Sequence, residues 1–204
     1  MNNIIDKKNI FNNLSNSSSI RIELGCGSSK MNPDSIGIDI LDYPEVDIVG
    51  DIFEVLKKFP DSSVEHVSSS HFIEHIGDIN LLILELERVL KSGGIIDFIA
   101  PHFSNPYFYS DPTHRNFFGL YTFSYMTFDK IFSRKIPTYQ KNLVLNLESV
   151  DLIFKSNKPF YFRYAFKSII GLLFNSCVYM KELYEENFCY LFPCYEVRYK
   201  LKKK

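Results

Sequence analysis

The chain has 204 residues, 46% of them hydrophobic, with a formal net charge of −1. That length fits one domain with a sizeable core, and the near-neutral charge gives no electrostatic basis for non-specific nucleic-acid binding. From residue 151 on there are ten Lys and Arg against five Asp and Glu, so that stretch carries +5 and the first 150 residues −6; Lys202, Lys203 and Lys204 supply three of those charges and read as a solvated tail. The four cysteines, Cys26, Cys177, Cys189 and Cys194, form no C-x-x-C pair. They are expected to be free thiols in a reducing, cytoplasmic setting. The first residues contain no uninterrupted apolar run, so no signal peptide is expected.

Residues 1–18 are rich in Asn and Ser and read as an arm or short helix on the domain edge; residues 19–204 read as one domain. Strand-like runs follow at 20–24, 36–40, 46–50, 64–69 and 95–100, rich in Ile and Val. Only eleven residues separate the first two, which hardly leaves room for a crossover helix. A short helix is expected at about 52–58, stopped by Pro60. A longer amphipathic helix, capped by Asp78, runs to Gly93-Gly94. Residues 101–146 are aromatic-rich and irregular. Further strands are expected at 147–156 and 195–201, and a helix over 161–186. Its apolar section, residues 168–180, is too short to cross a bilayer and reads as packed against the core rather than as a membrane-surface contact.

The chemistry-bearing residues cluster at strand ends. Glu23-x-Gly25-x-Gly27 closes the first strand, where a glycine turn lets the backbone approach a ligand. Lys30 stands where the dinucleotide fingerprint needs a third glycine, and no P-loop is present. Asp39 ends the second strand, Gly50-Asp51-Ile52 the third, and Ser-Ser-His the fourth. Ligands of open α/β sheets bind along that carboxyl edge.

In their order and spacing these motifs resemble the class I S-adenosylmethionine-dependent methyltransferases of the type 11, small-molecule and saccharide group, over about residues 19–101. The resemblance implies a Rossmann-like, seven-stranded mixed α/β sheet with helices on both faces. The last strand is antiparallel between the fifth and sixth, and here the first helix is cut to a loop. It implies that S-adenosylmethionine is held by Glu23, Gly25, Cys26 and Gly27 at the methionine end. Asp39 and Ile40 would face the ribose, Asp51 and Ile52 the adenine, and Ser70 and His71 would border the methyl group. S-adenosylhomocysteine is the implied product.

Residues 19–101 would then be the cofactor half and 102–204 the acceptor half. His102, His114 and Asp111 are the candidate catalytic residues, the histidines as general bases with near-neutral intrinsic pKa values. Asp111-Pro112 equally suits a helix N-cap. His71, His75, His102, His114 and Asp111 offer a metal site as an alternative, but they show no convergent ligand spacing, so none is expected. A similar P-H…D-P-T-H stretch in surface-polysaccharide methyltransferases points to a small-molecule or saccharide acceptor, methylated on O or N. The competing reading is a catalytically silent binding or scaffold protein, against which the intact Glu23, Gly25, Gly27 and Asp39 argue. Asp39→Ala is expected to weaken S-adenosylmethionine binding by about 1–3 kcal/mol, read by calorimetry; unchanged affinity would remove Asp39 from the site.

Overall fold

The computed structural model describes residues 4–14, 19–138 and 144–204. Its strands are β1 (Ile5–Asp6), β2 (Ile20–Leu24), β3 (Ile36–Asp39), β4 (Ile48–Val49), β5 (Val64–Ser70), β6 (Leu90–Pro101), β7 (Leu145–Ile153) and β8 (Glu196–Lys203). They form one sheet in the order β1-β4-β3-β2-β5-β6-β8-β7. The run from β4 to β6 is parallel, and β8 is antiparallel to both β6 and β7. The seven expected strands are therefore present in the expected order. The eighth, β1, is a two-residue addition from the arm, antiparallel on β4. The rest of the arm gives α1 (Ile10–Asn13) and the buried Leu14; residues 1–3 and 15–18 lie outside the described residues.

β2 is buried at four of its five positions and β5 at four of its seven with none exposed, as parallel strands covered on both faces should be. Asp51 caps α2 (Ile52–Leu56), its side chain accepting from the Phe53 and Glu54 amides. Asp78 caps α3 (Ile79–Val89), accepting from the Leu81 amide. Leu82, Ile83, Leu86 and Val89 of α3 are fully buried, worth about 1.5–3 kcal/mol each.

Four expectations change. The helix before β6 ends at Val89 rather than at the glycine pair, because Leu90 already pairs with Val64. Gly93-Gly94 instead sits where the β5–β6 register shifts. The 161–186 helix is two, α4 (Tyr161–Phe174) and α5 (Val178–Asn187). Asn175 separates them, its side chain bonding both the amide and the carbonyl of Leu152 on β7. The section 168–180 is packed on one side only: Phe174 is buried and Ile170, Val178 and Met180 pack against the core, while Ile169, Leu172, Leu173 and Tyr179 are exposed. The basic tail is not wholly solvated, since β8 runs to Lys203, whose ammonium donates to the carbonyls of Glu87 and Leu90.

The β2–β3 connection is an irregular loop locked by two carboxylates. Buried Glu23 accepts from the Met31 amide at 2.8 Å and the Asn32 amide at 3.2 Å. Asp47, 3% exposed, accepts from the Gly37 amide at 2.8 Å and pairs with Lys8 and Lys30. Burial pushes the Asp47 carboxyl up, but the bonds from Lys30, Lys8 and Gly37 outweigh it and hold it below the usual range. A depressed carboxylate stabilises the fold above its unfolded value, about 3.9, and that contribution is lost as pH falls through the folded value. Asp47→Asn is expected to cost about 2 kcal/mol at pH 7. It should also flatten the loss of stability between about pH 4 and pH 2, measured by denaturant melts across pH.

Candidate functional site

β2 lies where the strand order reverses, with β3 on one side and β5 on the other. The crevice beyond its carboxyl end is the ligand position of such sheets. Gly25 and Gly27 both have left-handed backbones, at φ 64° and 56°. Their missing side chains do different things. A Cβ on Gly25 would stand 2.3 Å from the Phe72 ring, so this glycine makes room for the protein's own core rather than for a ligand. A Cβ on Gly27 would meet nothing within 4 Å and would project into open space at the crevice.

Asp39 fixes that turn. Its Oδ2 accepts from the Gly27 amide and its Oδ1 from the Leu41 amide, each at 2.9 Å. Each carboxylate oxygen has a second lone pair, so a diol hydroxyl can still donate to it. Ile40 beside it is 63% exposed, an apolar face suited to a flat ring. Cys26 turns its side chain inward against Val46 and Val49, so only its backbone faces the crevice. Burial, with Asp39 and Glu23 nearby, pushes its thiol up to about 12. Ile52 is buried in the core and Asp51 is engaged as the α2 cap.

At the end of β5, His71 has a left-handed backbone, φ 54°, unusual for a residue other than glycine. Its Nε2 bonds Glu196 Oε1 at 2.7 Å and its Nδ1 stands 3.4 Å from Glu74 Oε1. Glu196, then Glu74, raise its pKa to about 9. Burial pushes the Glu196 carboxyl up, but His71 and Lys155 outweigh it and hold it low. Ser70, half-buried, ends the strand beside it.

His102 and His114 part company. His102 is fully buried. Its Nδ1 accepts from the Ser104 amide at 3.1 Å, so its Nε2 donates, toward Glu185 Oε2 at 3.2 Å. Glu185 Oε2 also accepts from the Leu120 amide, and the Ser104 hydroxyl accepts from the Cys194 amide. With both nitrogens engaged in an internal network, His102 has no face toward an acceptor. His114 is half-buried, its Nε2 lying 3.7 Å from Asp111 Oδ2 and 4.0 Å from Glu74 Oε1. Asp111 also accepts from the Thr113 hydroxyl and amide, the turn role its position before proline allows.

Sequence reasoning missed Glu74, Glu196 and Lys155. Lys155 Nζ bonds Glu196 Oε1, the oxygen that His71 also holds. It opens onto a cavity of about 520 Å³ that Arg163, Lys167, Phe160 and Tyr195 also line. Among the described residues, none that lines the cavity is acidic.

The profile of a family described as "Methyltransferase domain" matches residues 22–98. That match covers the strands and glycine turn that build the crevice, about two fifths of the chain. The open cradle at Gly27, the Asp39 carboxylate and the exposed Ile40 would fit the amino-acid, ribose and adenine parts of S-adenosylmethionine. Among solved structures, the chain is similar to an S-adenosylmethionine-dependent methyltransferase from Archaeoglobus fulgidus: 18% identity, 97% of this chain and 94% of that one, TM-score 0.53. A Haloferax volcanii methyltransferase seen in complex with the Trm112 activator gives 15%, 94% and 87%, and 0.51. A Haemonchus contortus phosphoethanolamine N-methyltransferase 2 bound to S-adenosyl-L-methionine gives 12%, 97% and 52%, and 0.51. At these identities the likeness establishes the methyltransferase fold. No curated protein matches the sequence.

The two glycines yield opposite expectations. Gly27→Ala should keep the fold apart from about 1 kcal/mol of left-handed strain, while S-adenosylhomocysteine affinity falls at least tenfold. Gly25→Ala should lower the melting temperature clearly more, because Phe72 must move. Thermal melts with calorimetry on both variants check this; equal melting temperatures would show that Phe72 moves aside at no cost.

Proposed function

We propose that the chain methylates an oxygen or nitrogen of a small, saccharide-type acceptor that carries an anionic group. The single observation behind this is the cavity beside His71. β8 is antiparallel, so its first residue, Glu196, meets the carboxyl end of β6 at Pro101. There Glu196 joins His71, beside the cofactor crevice, to Lys155 in the cavity wall. Lys155, Arg163 and Lys167 supply positive charge for a phosphate or carboxylate, and Tyr195 and Phe160 supply ring faces for a sugar.

The cofactor supplies an electrophilic methyl group on a sulfonium. The chain's own residues hold and orient the acceptor beside it, which is the larger part of such catalysis, and take the proton from a hydroxyl or ammonium. That last task falls to the His114–Asp111 pair, the candidate bases whose side chains reach the surface. Glu23 acts indirectly, by fixing the loop that shapes the crevice.

The test is transfer of labelled methyl from S-adenosylmethionine to a panel of phosphorylated and carboxylated monosaccharides. His114→Gln is expected to lose about 10²–10⁴ in turnover with S-adenosylhomocysteine affinity unchanged. Arg163→Ala should chiefly raise the acceptor KM. No labelled product with any anionic saccharide, from protein that binds the cofactor, would overturn the acceptor class.

A further inference from the structure

Glu74 is fully buried, and neither carboxylate oxygen has a hydrogen-bond partner among the described residues. Leaving a buried carboxylate without donors is costly. His71 Nδ1, at 3.4 Å, is out of hydrogen-bond alignment with it, and His114 Nε2 is 4.0 Å away. Glu74, His75 and His114 each offer one ligand atom, and these atoms lie within 4.8 Å of one another.

The hydrogen bonds around the two histidines fix which nitrogen carries the proton. His114 Nδ1 faces the Phe108 carbonyl at 2.8 Å. A carbonyl only accepts, so Nδ1 holds the hydrogen and Nε2 the lone pair. His75 Nδ1 faces Thr113 Oγ1 at 2.9 Å, and that hydroxyl donates its hydrogen to Asp111 Oδ1 at 2.6 Å. Thr113 must then accept from His75 Nδ1, which leaves the lone pair on His75 Nε2 as well. In each ring the nitrogen opposite the hydrogen-bonded one carries the lone pair, as in metal-bound imidazoles.

The two segments are also clamped. Glu74 and His75 lie in a 3-10 turn directly after β5. The amides of Arg115 and Asn116 donate to the Glu74 carbonyl at 2.8 and 3.2 Å, and the Asn116 side chain donates to the carbonyls of Ile73 and Ile76. Ligands held at about 2.0–2.2 Å from one ion stand at most about 4.4 Å apart, so small side-chain rotations complete the set.

We propose that Glu74, His75 and His114 bind one divalent transition-metal ion. Two imidazoles and a carboxylate suit Zn²⁺, Fe²⁺, Co²⁺ or Mn²⁺ rather than Mg²⁺ or Ca²⁺. With only three protein ligands, positions stay open for water or an acceptor oxygen. The site lies at the carboxyl end of β5, on the crevice edge. Its catalytic use rests on the acceptor reading above: a bound ion would polarise the acceptor hydroxyl, with His114 serving as a ligand. The hydroxyl proton leaves to solvent as its oxygen forms a bond to the methyl carbon and the sulfonium S–C bond breaks.

The test uses the full chain, free of any histidine tag and stripped with chelator, titrated with Co²⁺ and with Zn²⁺. One ion per chain at micromolar concentration is expected, with a visible Co²⁺ absorption band. Glu74→Gln, His75→Gln and His114→Gln should each weaken Zn²⁺ binding more than tenfold, and Thr113→Val by about 10–100-fold. All four should keep S-adenosylhomocysteine affinity, which shows that they fold. No stoichiometric ion on the unchanged protein, or equal binding by Glu74→Gln, overturns the site. Loss of cofactor binding by the unchanged protein would instead strike at the methyltransferase reading, and ion binding is scored independently of it. Chelation that leaves labelled-methyl transfer unaltered overturns the catalytic use.

Discussion

Eleven residues join β2 to β3 without a helix, and a buried carboxylate does the work a helix would have done. A crossover helix satisfies its own backbone and presents an N-terminus to the crevice. Here the loop amides of Met31 and Asn32 have no helical partners and turn to Glu23. A charged acceptor makes stronger bonds than a neutral one, so one side chain anchors the loop. Asp39 does the same for the glycine turn through Gly27, and Asp47 for the start of β3 through Gly37. The crevice is shaped by three carboxylates bonded to backbone amides, each from the end or edge of a strand.

The acceptor side is organised by a different carboxylate. Parallel strands bring their last residues to the crevice, and an antiparallel strand inserted among them brings its first. β8 therefore delivers Glu196 to the edge where β5 delivers His71. Buried between His71 and Lys155, Glu196 has its charge balanced from both sides. An anion entering the cavity would meet Lys155 already paired, with Arg163 and Lys167 nearby. Net positive charge at the cavity thus comes from three cations against one shared carboxylate.

The parallel half was legible because its strands are short apolar runs ending in glycine, aspartate or serine, a pattern set by burial and by turn chemistry. The order of β8 was legible only through the resemblance to a family, since alternation along 195–201 fixes an edge-like strand and not its neighbours. The need for glycine at Gly25 to accommodate Phe72 was not legible, because a glycine needed for packing looks the same in sequence as one needed for a ligand. His102 misled for a similar reason: its engagement depends on Glu185, 83 residues away. Glu74 and Glu196 escaped notice because a charge among apolar residues reads as solvent-facing until the tertiary fold buries it. Residues 168–180 were read as packed from their apolar content, yet only one side of that stretch, through Ile170, Phe174, Val178 and Met180, meets the core.

The left-handed backbone at His71 follows from the same electrostatics. Glu74 and Glu196 are both almost fully buried and approach the strand end from different elements. Two such charges without a cation between them would repel in a poorly solvated place. Glycine would take the left-handed turn more cheaply, but it would leave that position uncharged. A lysine would bring charge on a long stem without a ring's two fixed donors. Imidazolium presents two N–H groups on opposite sides of a rigid ring, so it bonds Glu196 through one nitrogen and faces Glu74 with the other. The strain of a non-glycine residue at φ 54° is of order 1–3 kcal/mol. A bond between charged groups recovers a similar amount, so the strand can end where its side chain must stand.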